Sequence, residues 1–147
     1  MSEPVGHLDD LAGLAARAAV ELAEPVARYA ALVGRTLAAG RTVFFAGNGG
    51  SAAHAQHIAT EYVVRYRPVA RRAAPALALS TDTSLLTAAG NDLGFERIFA
   101  RQVEAHGRKG DLLVLVSTSG KSANLLAAAK AARVSGLGVA ADRKSVV

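Results

Sequence analysis

The chain has 147 residues, no cysteine and a formal net charge of +5 at pH 7. The lack of cysteine excludes disulfides and thiolate metal ligands, and this length suits one domain with a real hydrophobic core. No apolar run reaches the roughly 18 residues of a membrane span, and residues 1–10 lack the apolar segment of a secretory signal. We therefore expect a cytoplasmic protein without membrane contact.

The N-terminal region, residues 1–39, is predicted to be helical from His7 onward. Apolar residues recur there at helical spacing. Pro25 should divide the region into two helices or kink one, and Gly40 should end it. Two arrangements are open: the helices pack on the chain's own sheet, or they pack against a partner subunit.

The most informative stretch follows directly. Val43–Ala46 is a short apolar run that predicts a buried strand, and Asn48–Gly50 can form a tight turn with exposed amides. Ser51 is the predicted N-cap of a helix over residues 52–65. A strand, a glycine turn and a helix N-terminus together form a site for an anion or a polar ligand.

The predicted helix after that turn has a polar face. His54, His57 and Glu61 are spaced by three and four residues, so they project from one side. His57 and Glu61 suit two ligands of one divalent metal, or a ligand beside a general base. The alternative is a solvated polar face, and His54 alone is better explained by solvent exposure or capping.

A second strand is predicted at Ala76–Leu79, and a dense polar run, residues 80–84, follows it. Thr83 or Ser84 could cap a short helix that ends at Ala89. Residues 90–92 are then predicted to form a turn.

The next segment, residues 95–106, is predicted to be an amphipathic helix with Phe95, Ile98, Phe99 and Val103 on one face. After a turn at residues 107–111, the continuous apolar run of Leu112–Val116 predicts a central strand of a parallel sheet. Such a strand is buried on both faces.

A third polar turn, residues 117–122, precedes a predicted helix from Ala123 to about Ser135. Its hydroxyls, exposed amides and helix N-terminus could hold a phosphate. A P-loop is disfavoured, because Leu115 occupies the position of the first glycine of that motif. The match of residues 47–52 to a dinucleotide fingerprint is weak, because no acidic residue follows at the expected distance.

A local basic cluster is formed by Arg65, Arg67, Arg71 and Arg72, close in sequence to two tyrosines. Nucleic acid is a conceivable partner of such a cluster. A solvated loop or the rim of a site for an anionic substrate is favoured instead.

Alternation of strands and helices predicts a parallel sheet with helices on both faces and right-handed crossovers. Ligands of such sheets bind at the carboxyl ends of the strands. The three polar turns should therefore share one crevice with His57 and Glu61.

Several motifs in the same order resemble the phosphoheptose isomerases of the sugar isomerase (SIS) superfamily. The motifs are Gly47-Asn48-Gly49-Gly50-Ser51, Ala55-Gln56-His57, Thr81-Asp82-Thr83-Ser84, Asn91-Asp92 and Ser117-Thr118-Ser119-Gly120 with Ser122. The resemblance extends to about Leu137. It implies a three-layer α/β sandwich with a parallel sheet, preceded by N-terminal helices, as a single SIS domain over residues 1–147. It also implies a homotetramer with active sites at subunit interfaces.

The implied reaction converts sedoheptulose 7-phosphate to D-glycero-D-manno-heptose 7-phosphate, for heptose biosynthesis. Glu61 would be the catalytic base, and His57 and Glu61 would be zinc ligands. Substrate contacts would come from the remaining matched positions and from Glu61: Asn48, Gly49, Gly50, Asn91, Asp92, Ser117, Thr118, Ser119 and Ser122. The last four would hold the phosphate.

Two departures from the family pattern stand out. Lys121 replaces the usual Asn, where it either adds charge attraction or faces solvent. The family continues with a strand and a helix that supply a Gln and a His to the zinc site, and residues 141–147 do not resemble that continuation. His54 and His106 could replace them only in principle. We therefore expect an incomplete zinc site and little activity in this chain, and the alternative function is a non-catalytic SIS module that binds a sugar phosphate or a protein.

Overall fold

The computed structural model describes residues 6–66 and 71–143. Its helices are α1 (Gly6–Glu21), α2 (Ala23–Ala38), α3 (Gly50–Val63), α4 (Thr83–Leu93), a 3-10 turn (Phe95–Arg97), α5 (Ile98–His106) and α6 (Ala123–Val134). Its strands are β1 (Val43–Gly47), β2 (Ala76–Ala78), β3 (Leu112–Ser117) and β4 (Gly138–Arg143). Within these residues, no helix has the length and apolar character needed to cross a membrane.

Contacts divide the chain into two compact units, one that ends at Gly34 and one that starts at Arg35. The first unit contains α1 and most of α2, which are separated at Leu22. Pro25 lies in the first turn of α2, where a residue without an N–H group is tolerated. The predicted division of the helical region near Pro25 is therefore confirmed, whereas the prediction of a single domain stays a prediction.

The end of α2 follows a common termination pattern. Gly40 has a φ of 69°, which favours glycine. Its N–H group donates to the carbonyl of Leu37 at 3.0 Å, and the N–H of Arg41 donates to that of Thr36 at 3.0 Å. These bonds satisfy two carbonyls that the helix end would leave unpaired, so the predicted stop at Gly40 is confirmed.

The second unit is built on one parallel sheet with the strand order β2-β1-β3-β4. In β1 and β3, Val43 is paired with Leu112 and Gly47 with Val116. This register brings the carboxyl ends of the two strands side by side. The prediction of β3 as a central strand is confirmed, since it pairs with β1 on one side and with β4 on the other.

Helices cover both faces of the sheet. Phe44 and Ala46 belong to a buried cluster that includes side chains of α4, α5 and α6. The ring of Phe45, the residue between them, stacks on Tyr62 of α3 with the centroids 5.7 Å apart. Because successive side chains of a strand point to opposite faces, α3 covers one face and α4 to α6 cover the other. This arrangement is the predicted three-layer sandwich.

The structure corrects two expectations about the elements. Phe95 does not join the buried face of α5, because it lies in the separate 3-10 turn and is 62% exposed. Strand β4 was not predicted from the sequence, since its small residues followed by two charged ones give a weak strand signal. Residues 67–70 of the expected basic loop, including Arg67, lie outside the described residues.

Candidate active site

The turn after β1 brings the backbone very close to the start of α3. A Cβ atom placed on Gly47 would lie 2.5 Å from the carbonyl oxygen of Ser51. Gly49 has a φ of 54° and precedes the first helical residue, and no side chain in the described part of the chain caps the helix there. The predicted N-cap Ser51 is therefore wrong: it lies inside the first turn, because Gly49 and Gly50 let the helix begin earlier.

The turn after β3 is folded by its own hydroxyl groups. The Oγ of Ser117 accepts a hydrogen bond from the N–H of Gly120 at 3.0 Å, and the Oγ of Ser119 accepts one from Lys121 at 3.2 Å. Ser122 precedes α6, but its side chain makes no capping hydrogen bond. The predicted turn and helix are both present, and the N-terminus of α6 has no side-chain cap.

A pair of amides joins these two turns. The Nδ2 of Asn48 donates to the Oδ1 of Asn124 at 3.0 Å, and the Nδ2 of Asn124 donates to the Oδ1 of Asn48 at 2.8 Å. Asn124, in the first turn of α6, is only 2% exposed. Asn124 was not among the predicted site residues, although an isolated Asn beside apolar residues at the start of a helix was an available signal.

The polar run after β2 is tied to α3. The side-chain amide of Gln56 donates to the backbone oxygen and to the hydroxyl of Ser80, both at 3.2 Å. The predicted caps of α4, Thr83 and Ser84, are wrong. The helix begins one residue after Asp82, whose Oδ1 accepts from the N–H of Leu85 at 2.9 Å. The N-terminus of α4 is thus occupied by a carboxylate, in contrast to those of α3 and α6.

Asn91 and Asp92 lie in the last turn of α4, so the turn predicted at residues 90–92 is wrong. The helix continues to Leu93, and Gly94, with a φ of 87°, ends it. The side chains of Asn91 and Asp92 are exposed and bonded to each other at 2.7 Å. Among the described hydrogen bonds, none connects them to Asn48 or to the turn after β3.

His57 and Glu61 do lie on one face of α3. The Nε2 of His57 is 3.5 Å from the Oε1 of Glu61, and the two side chains are 69% and 27% exposed. Two donor atoms at this distance can bind one zinc ion, whose bonds to nitrogen and oxygen are about 2.0–2.2 Å long. Within residues 6–66 and 71–143, no third His, Asp or Glu joins them to form a metal-binding group. The described residues therefore fit two ligands of a zinc site, and neither His54 nor His106 completes it.

An open pocket of about 510 Å³ lies beside Glu61. It is lined in part by Tyr62, Tyr66, Arg71 and Arg72. The guanidinium of Arg71 donates to the backbone oxygen of Glu61 and, at 3.0 Å, to that of Arg72. Two members of the predicted basic cluster thus line the same pocket as Glu61.

The family model of the SIS domain matches residues 7–141, nearly the whole chain. The chain belongs to the SIS domain family. It is 55% identical over 119 residues to a phosphoheptose isomerase of Rhodospirillum rubrum. The aligned segment covers 81% of this chain and 63% of that protein. It is 50% identical over 131 residues to a phosphoheptose isomerase of Nitratidesulfovibrio vulgaris. This second aligned segment covers 89% of this chain and 62% of that protein.

Solved structures of SIS proteins have the same fold. A phosphoheptose isomerase from Neisseria gonorrhoeae superimposes with a TM-score of 0.85 at 42% identity, over 95% of this chain and 72% of that one. A phosphoheptose isomerase from Francisella tularensis superimposes with a TM-score of 0.83 at 32% identity, over 96% of this chain and 75% of that one. The resemblance found in the sequence is therefore confirmed. The chain spans about three-fifths of the length of the two curated SIS relatives, 63% and 62%.

The close approach at Gly47 gives a test of the glycine turn. Gly47→Ala should lower the free energy of unfolding by about 1–3 kcal/mol, because the added methyl group must displace the backbone of the first turn of α3. The matched control is Gly50→Ala, where a Cβ meets no atom within 4 Å and alanine favours the helix. Urea unfolding measures both. Equal losses of stability in the two variants would contradict this geometry.

Proposed function

We propose that the chain provides the substrate site and the base for the isomerisation of sedoheptulose 7-phosphate to D-glycero-D-manno-heptose 7-phosphate. The low activity expected from an incomplete zinc site stays a prediction. The observation that supports this most strongly is the pairing of two uncapped helix N-termini, at α3 and α6, through Asn48 and Asn124. One polyhydroxylated, phosphorylated ligand could contact both turns. The names of the four relatives agree with this reaction, since each is a phosphoheptose isomerase and none is a non-catalytic SIS module.

The phosphate is proposed to bind the turn after β3. Ser117, Thr118, Ser119 and Ser122 would contribute hydroxyls, and the uncapped N-terminus of α6 would contribute N–H groups and a positive dipole end. The other candidate helix end on this edge, that of α4, already donates an N–H group to the carboxylate of Asp82. Lys121 is exposed beside the turn and adds a positive charge.

The sugar is proposed to lie between the glycine turn and α3. Asn48, Gly49 and Gly50 would bind its hydroxyl groups, together with Asn91 and Asp92. Glu61 would act as the base, since aldose–ketose isomerisation transfers a proton between adjacent carbons through an enediol. The hydrogen bond from Arg71 to the backbone of Glu61 supports a fixed position for this residue.

A zinc ion held in part by His57 and Glu61 is also proposed. When bound, it would polarise the sugar oxygens during enediol formation. Support comes from the 3.5 Å separation of the two donor atoms. The homotetramer and the cytoplasmic setting expected from the sequence stay predictions.

The phosphate assignment is tested by Ser119→Ala combined with Ser122→Ala. This variant should bind sedoheptulose 7-phosphate at least tenfold more weakly, because two hydrogen bonds to a charged group are lost. Calorimetric titration measures the affinity. Ser135→Ala, at the opposite end of α6, is the matched control and should bind normally. Unchanged affinity in the double variant would place the phosphate elsewhere.

The catalytic assignment is tested by Glu61→Gln in D₂O. The wild type should introduce deuterium at C1 of sedoheptulose 7-phosphate and at C2 of the aldose, because the base of an open site exchanges its proton with solvent while the enediol exists. The variant should lose roughly 10²-fold or more of this exchange while it keeps its fold. Glu104→Gln, on α5, controls for loss of a negative charge. If Glu61→Gln exchanges at the wild-type rate, another group is the base; if the wild type takes up no deuterium and forms no aldose, the proposed reaction fails.

The zinc assignment is tested by His57→Ala against His54→Ala. Both residues are exposed on the same helix, but only His57 lies beside Glu61. His57→Ala should weaken zinc binding by tenfold or more, because one of its direct ligands is removed. His54→Ala should leave the affinity unchanged. Competition with a chromogenic chelator measures both, and equal effects of the two substitutions would refute the ligand role of His57.

A further inference from the structure

We infer that Asn124 is a positioning residue: it holds the amide of Asn48 in one orientation and couples the glycine turn to the turn after β3. The inference rests on the proposed function, in which those turns bind the sugar and the phosphate. Asn124 would not itself contact the substrate. Its role would be exerted through the two hydrogen bonds that it exchanges with Asn48.

The geometry of the pair leaves one edge of Asn48 available. A primary amide has two N–H donors and an oxygen with two lone pairs. The pair uses one donor and one lone pair of Asn48, at 3.0 and 2.8 Å. Asn48 is only partly buried, so its second N–H and second lone pair can meet a ligand. Exchange of O and N in both amides preserves the same reciprocal pattern, so the pairing does not depend on that assignment.

The surroundings of Asn124 argue for a specific role. Its helical neighbour Leu125 and Ala128, one turn further along α6, are both buried in the apolar core. An unpaired buried amide destabilises the folded chain, so Asn is unfavourable at this position without a partner. Asn48, which lies 76 positions away in sequence, is the partner in both described hydrogen bonds of the Asn124 side chain.

The pair explains how one ligand could be held at two places. Without Asn124, the side chain of Asn48 could rotate about its torsions at the end of β1. A side chain that contacts the sugar in the wrong orientation binds it more weakly, because recognition in such a site depends on orientation. Asn124 lies in the first turn of α6, and it orients Asn48 without contacting a phosphate bound at this helix end. Sugar recognition would therefore depend on Asn124, whereas recognition of phosphate alone would not.

The test compares two ligands in Asn124→Leu, a variant of similar size without the amide. Affinities for inorganic phosphate and for sedoheptulose 7-phosphate are measured by calorimetry. We expect phosphate affinity to stay within about twofold and sugar phosphate affinity to fall about tenfold, as for the loss of one well-placed hydrogen bond. In the Asn48→Ala background, Asn124→Leu should cause no further loss. Equal loss for both ligands, or additive losses in the double variant, would overturn the inference.

A second variant guards against misfolding. Asn124→Asp keeps the shape and still accepts from the Nδ2 of Asn48, but it cannot donate when ionised. The added charge should repel both phosphate ligands alike, so the ratio of sugar phosphate affinity to phosphate affinity is compared. This ratio should fall less in Asn124→Asp than in Asn124→Leu. If the ratio falls as far in the Asp variant as in the Leu variant, the pair does not act through the hydrogen bond to Asn48.

An NMR measurement separates this inference from the proposed function. The side-chain NH₂ signals of Asn48, assigned by their loss in Asn48→Ala, should exchange slowly in the wild type and rapidly in Asn124→Leu. This readout needs no ligand. If the wild type binds the sugar phosphate no better than phosphate, the proposed function fails, and the exchange data still decide whether Asn124 orients Asn48. Unchanged exchange in Asn124→Leu would refute the positioning role.

Discussion

The parallel pairing of β1 with β3 is the constraint on which the candidate site depends. The pairing of Gly47 with Val116 ends both strands at the same edge of the sheet. The chain then turns at each end and enters a helix, α3 in one case and α6 in the other. Two helix N-termini are thus adjacent although their turns are about seventy residues apart in sequence, a proximity that parallel strands favour because their carboxyl ends share an edge.

The helix N-termini at this edge of the sheet are of two kinds. The carboxylate of Asp82 accepts a hydrogen bond from the N–H of Leu85 in the first turn of α4, so this helix end is already capped. Among the described residues, no side chain caps α3 or α6, so these two helix ends can attract a polar or anionic ligand. The polar residues nearby are used to bind the turns together, as in the contacts of Gln56 with Ser80. The site is therefore open where a ligand is expected and fixed by hydrogen bonds around it.

The SIS fold also explains why the catalytic candidates lie on α3. This helix begins at the glycine turn, so His57 and Glu61 lie two to three turns along α3 from Gly50. Stacking of Tyr62 on Phe45 fixes the next residue of the helix on the central strand. The carboxylate of Glu61 consequently extends from a rigid element. An exposed loop would leave it free to move.

The sequence by itself determined the local elements and the family. The apolar runs of β1 and β3, the stop at Gly40 and the spacing of His57 and Glu61 are short-range features, so hydrophobic pattern and glycine chemistry were sufficient. Local signals were misleading where neighbouring residues compete for the same role. Thr83 and Ser84 were plausible caps of α4, but Asp82 is the N-cap. Gly90 was expected to begin a turn, but it lies inside α4. Only the tertiary structure revealed the Asn48–Asn124 pair and the edge strand β4. Both depend on contacts between distant segments, which no local pattern specifies, because the partner of a buried amide or of a strand is decided by packing.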